Sequence, residues 1–349
     1  MLITADSEIA PLLELSARLG SNPLLVQAGT GNTSVKIDGV LWIKASGKWL
    51  AHAGHDEILV PVDLAETRRC VQLDADPASQ CSILSGRNPL RTSIETAMHS
   101  VLRHRVVLHV HSVNTIAWAV RCDAVALLAE RFAGLRWKWI PYAASGLPLA
   151  RAIERATACS PETDILVLAN HGLVVCGDNC EAAERLLHEV EARIAIAPRP
   201  APEPDRGLLT QIAGTSGWRL PDDPSVHALG TDAWSGTVLS GGVLYPCQAI
   251  FLSPNMRVTP RSILNDSHTE AANPFLIVEG AGVVVNEQMT GPAFATLTGL
   301  AQVLQRIDDT APIRYLDAPE VESIMSVDTY RYRERVETNS AFSQPVLAA

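Results

Sequence analysis

The hydrophobic positions of the chain switch between two spacings, and the switches mark its elements. From Ser7 to Gly20 apolar residues recur every three to four positions, as at Ile9, Leu12, Leu13 and Leu15. That spacing predicts an amphipathic helix over 7–20, opened by a Ser cap and an early Pro11. From Ser34 to Lys44 the period falls to two around Asp38-Gly39, the pattern of a β-hairpin. The loop Gly29-Thr30-Gly31-Asn32-Thr33-Ser34 leads into that sheet. Residues 93–103 return to helical spacing and run directly into Val106-Val107-Leu108-His109-Val110-His111, which reads as a strand. A proline-bounded helix at 147–158, a strand at 164–169, a turn at His171-Gly172, a strand at 173–176 and a helix at 181–196 complete a mixed α/β layout.

The segment Ala197-Pro198-Arg199-Pro200-Ala201-Pro202-Glu203-Pro204 holds four prolines in eight residues, so it is stiff, extended and unable to continue a helix. The expected division is a first domain of residues 1–197, a linker of 198–206 and a smaller α/β domain of 207–349. Within the second part, Phe275 to Val285 echoes Ile165 to Val175, each leading into a helix. In that alignment Ala281 stands where His171 stands, and chance similarity between two strand-turn-strand-helix units is the competing explanation. The C-terminal stretch Tyr330-Arg331-Tyr332-Arg333-Glu334-Arg335 reads as a solvated terminal helix, or as a segment reaching a neighbouring site.

Composition narrows the functional classes. The 349 residues are 47% hydrophobic and 19% charged, enough to bury a substantial core and too apolar for a disordered chain. A formal charge of −10 opposes a nucleic-acid or anionic-membrane partner, since either needs clustered Lys and Arg. No apolar stretch approaches the ~20 residues of a membrane span, and the first residues lack a signal-peptide pattern. A cytoplasmic location is expected. The 7 cysteines include no Cys-x-x-Cys pair, which suits reduced thiols. Cys176 and Cys180, near His171, read as small core residues rather than thiolate ligands.

On a strand, the period of two sends His109 and His111 to one face, the geometry two nitrogens need to share one metal ion. An isolated pair would read as sheet histidines bonded to neighbours. His171, after a second apolar strand, turns the reading toward a three-imidazole site with one coordination position of a tetrahedral Zn²⁺ left open. Glu95, at the start of the helix that feeds the histidine strand, is a fourth ligand, a nearby base or an ordinary first-turn Glu favoured by the helix dipole. His99, one turn on, reads as a buried and satisfied histidine. The Gly29–Ser34 loop offers unobstructed amides, an Asn and hydroxyls suited to an anionic oxygen cluster, and a tight hairpin turn explains it equally well. Ser46-Gly47-Lys48 is a second turn of that kind.

Taken in order, Gly31-Asn32-Thr33-Ser34, Ser46-Gly47, Ser93-Ile94-Glu95, His109-Val110-His111 and Asn170-His171-Gly172 resemble the class II aldolase/adducin family, over roughly residues 10–196. The resemblance implies a three-layer α/β/α domain with a central, mainly antiparallel sheet, plus a smaller α/β domain beyond the linker. It implies that His109, His111 and His171 bind a divalent metal, Zn²⁺ in most members with Mn²⁺ or Co²⁺ as alternatives. It makes Glu95 the acid/base, and lines a substrate phosphate site with Gly31, Asn32, Ser46, Gly47 and Ser93. Ile94 departs from the pattern, because the aldolases often carry a second Ser there. The whole chain also resembles the aldolase part of bifunctional rhamnulose-phosphate aldolase/alcohol dehydrogenases. In Tyr245-Pro246-Cys247-Gln248, however, Cys247 and Gln248 replace an Asp and a His. The dehydrogenase part has no counterpart, so no NAD is expected.

The implied reaction is retro-aldol cleavage of a small ketose or ketose phosphate through a metal-stabilised enediolate, with Glu95 moving the proton at a pKa raised by burial. A decarboxylase or epimerase of the same family would use the same metal and base. An adducin-like binding module without activity is the reading from a different class, and metal content separates it from the enzymes. Family members are commonly homo-oligomers, so a dimer or tetramer is implied.

Overall fold

The alternation around Asp38-Gly39 folds as its pattern predicts: β1 (Asn32–Ile37) pairs antiparallel with β2 (Val40–Lys44). Both turn residues take positive φ, 48° and 81°, which the Asp-Gly pair accommodates and which matches the twist of the strands. The structure, a computed structural model, describes residues 2–77, 83–84, 90–214, 217–264 and 274–326. Strands β3 (Leu59–Asp63), β4 (Val106–Val110), β5 (Trp137–Ile140), β6 (Ile165–Leu168) and β7 (Gly172–Gly177) join the hairpin in a seven-stranded sheet of order β3-β2-β1-β4-β7-β6-β5. Its pairs are antiparallel except β5 with β6.

Alternation along the central strands builds two apolar faces. Val106, Leu108 and Val110 of β4 join Leu12, Leu15 and Leu19 of the helix Leu2–Gly20 and Leu187, Val190 and Ile194 of the helix Cys180–Ile194. Val107 points the other way, onto Met98 of the helix Thr96–Val101 and Leu149 and Ile153 of the helix Leu147–Thr157. The sheet is thus covered on both sides, and β4 is buried throughout its length. This is the three-layer α/β/α arrangement with a mainly antiparallel sheet.

Two helices differ from their expected bounds. The first begins at Leu2, so Ser7 lies within it instead of capping it; the buried Leu12, Leu15 and Leu19 fix its later turns, but spacing carries no mark of its start. The second, expected over 93–103, covers only Thr96–Val101. Ser93 Oγ accepts the Glu95 N–H and Thr96 Oγ1 donates to Ser93 O, so 93–95 form a turn that leaves Glu95 at the cap position.

Beyond the prolines, β8 (Trp218–Arg219), β9 (Val258–Thr259), β10 (Phe275–Val278) and β11 (Gly282–Asn286) form a second sheet of order β8-β11-β10-β9. The pairing of β10 with β11, from Phe275↔Val285 to Val278↔Gly282, has the register of β6 with β7, from Ile165↔Val175 to Leu168↔Gly172. Asn170 (φ 51°) and Gly280 (φ 63°) occupy corresponding left-handed turn positions, so Gly172 and Gly282 lie in corresponding turns and Ala281 falls at the place of His171.

The two parts are closely joined. Val113, Ile116 and Ala117 of the helix Val113–Ala119 share one apolar cluster with Leu297, Leu300 and Ala301 of the helix Gly291–Leu304. The proline segment is fastened by Arg199, whose guanidinium donates to Asp232 Oδ2 at 2.6 Å and Leu304 O at 3.0 Å. Asn170 Nδ2 donates to Leu244 O at 2.8 Å and Arg314 O at 2.9 Å, and Asn170 Oδ1 accepts from Arg314 Nη1 at 2.7 Å. Tyr330–Arg335 lie outside the described residues. Among those described, no helix is long and apolar enough to cross a membrane.

Asn170→Ala should therefore loosen the junction. At about 1 kcal/mol net for each of the three hydrogen bonds, we expect a loss of about 2–3 kcal/mol, read as a lower urea midpoint. An unchanged midpoint would remove Asn170 from the junction.

Candidate metal centre

The period of β4 places His109 and His111 on the face of Val107, turned toward the helix whose cap is Glu95. His171 reaches them from the β6–β7 turn. Its approach depends on Gly172, where a Cβ would stand 2.6 Å from Val110 O. The three rings then sit with centroids 5.0, 5.0 and 5.1 Å apart, all buried. Their ligand nitrogens lie within 4.8 Å of one another.

The nitrogens are oriented as well as close. His109 Nδ1 donates to Leu173 O at 3.0 Å, which leaves its Nε2 as a bare lone pair. His111 Nε2 lies 3.2 Å from that atom. Glu95 Oε1 lies 3.4 Å from His109 Nε2 and 3.2 Å from His171 Nε2. Burial alone would raise the Glu95 carboxyl, as its setting in the sequence suggests. When protonated, the facing His109 and His171 rings outweigh burial and hold it well below the ordinary carboxylate range. Three imidazole nitrogens and a carboxylate oxygen converging in a dry site form a donor set that fits a divalent cation.

A second set of buried polar groups holds the first. Ser34 Oγ contacts His99 Nδ1 at 2.7 Å, His99 Nε2 donates to Asn32 Oδ1, and Asn32 Nδ2 donates to Glu95 Oε2 at 2.6 Å. Burial presses the His99 pKa well below its usual value, so this ring stays neutral as the chain of bonds requires. His99 is buried and satisfied, as expected; its partner was not legible. The Asn32 amide also meets Ser93 Oγ at 3.4 Å, so it is engaged in holding Glu95 and has little left for a phosphate.

Of the residues expected to line a substrate site, Gly31 faces the cleft with Glu95, His111 and His171, and Ser145 joins them unforeseen. Asn32 and Ser93 sit behind Glu95. Ser46 and Gly47 do not line the cleft. They are linked to it through the buried Lys44, whose Nζ donates to Gly29 O at 2.7 Å and Lys48 O at 2.6 Å, tying the two turns together. The cleft is closed on its far side by Pro246 and Cys247, with Cys247 Sγ 3.4 Å from His111 Nδ1. The space inside is about 10 Å³, room for one water. Roomier cavities of about 280 and 820 Å³ lie beside Val35 and Cys180 and beside Gly230 and Gly280, away from the histidines. Cys176 is a core residue, its thiol pushed up to about 12 by burial, and belongs to no cluster with the histidines.

Residues 11–197, more than half of the chain, match the family model described as Class II Aldolase and Adducin N-terminal domain. A protein of Bacillus subtilis (strain 168) named uncharacterized oxidoreductase YuxG is 30% identical over 190 residues, covering 50% of this chain. The chain spans only 27% of that protein's length. The N-terminal class II aldolase domain of a conserved protein from Thermoplasma acidophilum is 23% identical, with a TM-score of 0.47 over 52% of this chain and 90% of that one. L-fuculose-1-phosphate aldolase from Thermus thermophilus is 20% identical, with a TM-score of 0.38 over 53% and 89%.

A donor set of this kind predicts stabilisation by its ion. Zn²⁺ at a hundred times its dissociation constant should add about 2.7 kcal/mol and raise the melting temperature, an effect abolished in His109→Ala. A melting temperature indifferent to Zn²⁺, Mn²⁺ and Co²⁺ would contradict the assignment.

Proposed function

Because the chain belongs to the class II aldolase and adducin family, we propose that it is a metal-dependent carbon–carbon lyase that cleaves a small ketose or ketose phosphate by retro-aldol chemistry. The observation that carries this reading is the convergence of His109, His111 and His171 on the Glu95 carboxylate in one buried cleft. The three histidines would hold a divalent ion, with Zn²⁺ the metal best suited to imidazole donors. Bound there, such an ion supplies Lewis-acid polarisation of the substrate carbonyl and offsets the negative charge that C–C cleavage leaves.

The chain's own residues divide the remaining work. Glu95 Oε2 is held by Asn32, so Oε1 is the atom free to move the proton that completes the cleavage. Ser34 and His99 keep Asn32 in place, and so fix the direction from which Glu95 acts. Gly31 and Ser145 line the substrate's side of the cleft. The Asn32 amide is engaged and Ile94 carries no hydroxyl, so the site favours an unphosphorylated ketose over a phosphorylated one. Of the residues expected at a phosphate, Gly31 lines the cleft, whereas Ser46, Gly47 and Ser93 do not.

Two experiments test the reading. A screen of free ketoses, ketose phosphates and β-keto acids with added Zn²⁺, Mn²⁺ or Co²⁺ should release aldehyde; CO₂ release would make the enzyme a decarboxylase using the same site. Glu95→Gln should keep the ion yet lose about 10²–10⁴-fold in turnover, the usual contribution of a positioned acid/base. Full activity in that variant would take Glu95 out of the reaction.

A further inference from the structure

The correspondence between the two sheets extends well past the β-turns. Asn170 N–H donates to Ala119 O, the end of the helix that follows β4; Gly280 N–H donates to Gly230 O, in the short helix Ala228–Thr231 that follows β8. Ala169 N–H donates to Ile140 O on the parallel neighbour of β6, and Glu279 N–H to Thr259 O on that of β10. Ser112 caps the first of these helices, and Asp223 caps the 3-10 turn Pro224–His227 that runs into the second; Asn179 caps the helix after β7 and Thr290 the helix after β11. The helix Arg206–Ala213, capped by Asp205, precedes β8 as Thr96–Val101, headed by Glu95, precedes β4.

Against this shared frame two differences stand out. At the second turn the donors are gone: Ala281 takes the place of His171, and Asp205, which takes that of Glu95, pairs with Arg261. The Arg261 guanidinium also donates to Glu279 O and Gly280 O, so a tethered cation sits at the corresponding turn. The other difference is an insertion. Between the helix Ala124–Arg131 and β5 lie residues 132–136, whereas between Ala233–Ser240 and β9 lie 241–257. That added segment contains the helix Pro246–Phe251, and it is what reaches into the first part's metal centre.

We propose that this insertion makes Cys247 a positioning residue of the metal centre, by holding His111 through Nδ1. The proposal rests on the metal-dependent reading above. Cys247 is not itself one of the converging donors; His109, His111 and His171 form that cluster without it. Its sulfur meets the far side of the His111 ring, the side a metal-binding imidazole needs to have satisfied. The choice of cysteine has a chemical reason. With His109 Nε2 an acceptor, His111 donates to it from Nε2 and its Nδ1 must accept. To hold an ion by Nε2, His111 must instead carry its proton on Nδ1 and donate. A thiol can donate and accept, so one side chain satisfies Nδ1 in both arrangements. The inserted segment is itself pinned: Gln248 Oε1 accepts from Leu244 N–H, and Leu244 O accepts from Asn170, the neighbour of His171.

The test is the ion affinity of the full chain, by competition with a chelator, together with the visible spectrum of its Co²⁺ form. Cys247→Ala should weaken Co²⁺ and Zn²⁺ binding about 10–100-fold with the fold intact by circular dichroism, the usual cost of losing such a partner. Cys247→Ser, which can also donate and accept, should recover most of the affinity. Cys247→Asp, an acceptor suited to the ion-holding arrangement, should bind at least as tightly as the wild type. Equal affinities and spectra for wild type and Cys247→Ala would overturn the proposal while leaving the metal centre standing. A sulfur-to-cobalt charge-transfer band in the wild type would overturn it by making Cys247 a ligand. A wild-type chain that takes up no ion would sink the metal-dependent reading itself.

Discussion

The arrangement of this molecule turns on bringing three imidazole nitrogens and a carboxylate together away from bulk water. Taking an ion such as the Glu95 carboxylate out of water costs several kcal/mol unless partners compensate. Here Asn32 supplies that compensation from behind, and His109 and His171 would add to it when protonated. The alternation of β4, the left-handed Asn170 and the missing side chain of Gly172 all serve to make this convergence possible.

How much of this was legible in the sequence depends on how far apart the interacting residues lie. The hairpin at Asp38-Gly39 and the shared face of His109 and His111 follow from a period of two, a local property that spacing records directly. Membership of the His171 turn was legible because the two apolar strands around it leave few other conformations. The Asn32–His99–Glu95 arrangement was not: Asn32 meets Glu95 across 63 positions, and no periodicity links them. A trace existed in the spacing of Glu95 and His99, one helical turn apart on the same face. Nothing of the kind pointed to Cys247, which meets His111 across 136 positions from an irregular insertion.

The anion-loop reading of Gly29–Ser34 illustrates the same limit from the other side. Its composition suited an oxygen cluster, but the three-dimensional neighbours decide what each group does. The Asn32 amide turns inward to the carboxylate, whereas Gly31 faces the cleft, so one short motif is divided between support and contact. Lys44 joins this loop to the Ser46–Lys48 turn with a buried ammonium satisfied by carbonyls.

Under the proposed function, the corresponding turns of the two halves would carry positive charge in different ways. Arg261 is part of the polypeptide, synthesised with the chain and present for as long as the chain exists. On the proposed function, the histidine turn would offer its place to an ion acquired from the surroundings, which can be surrendered again. One half of the molecule would then depend on translation alone and the other also on the supply of that ion.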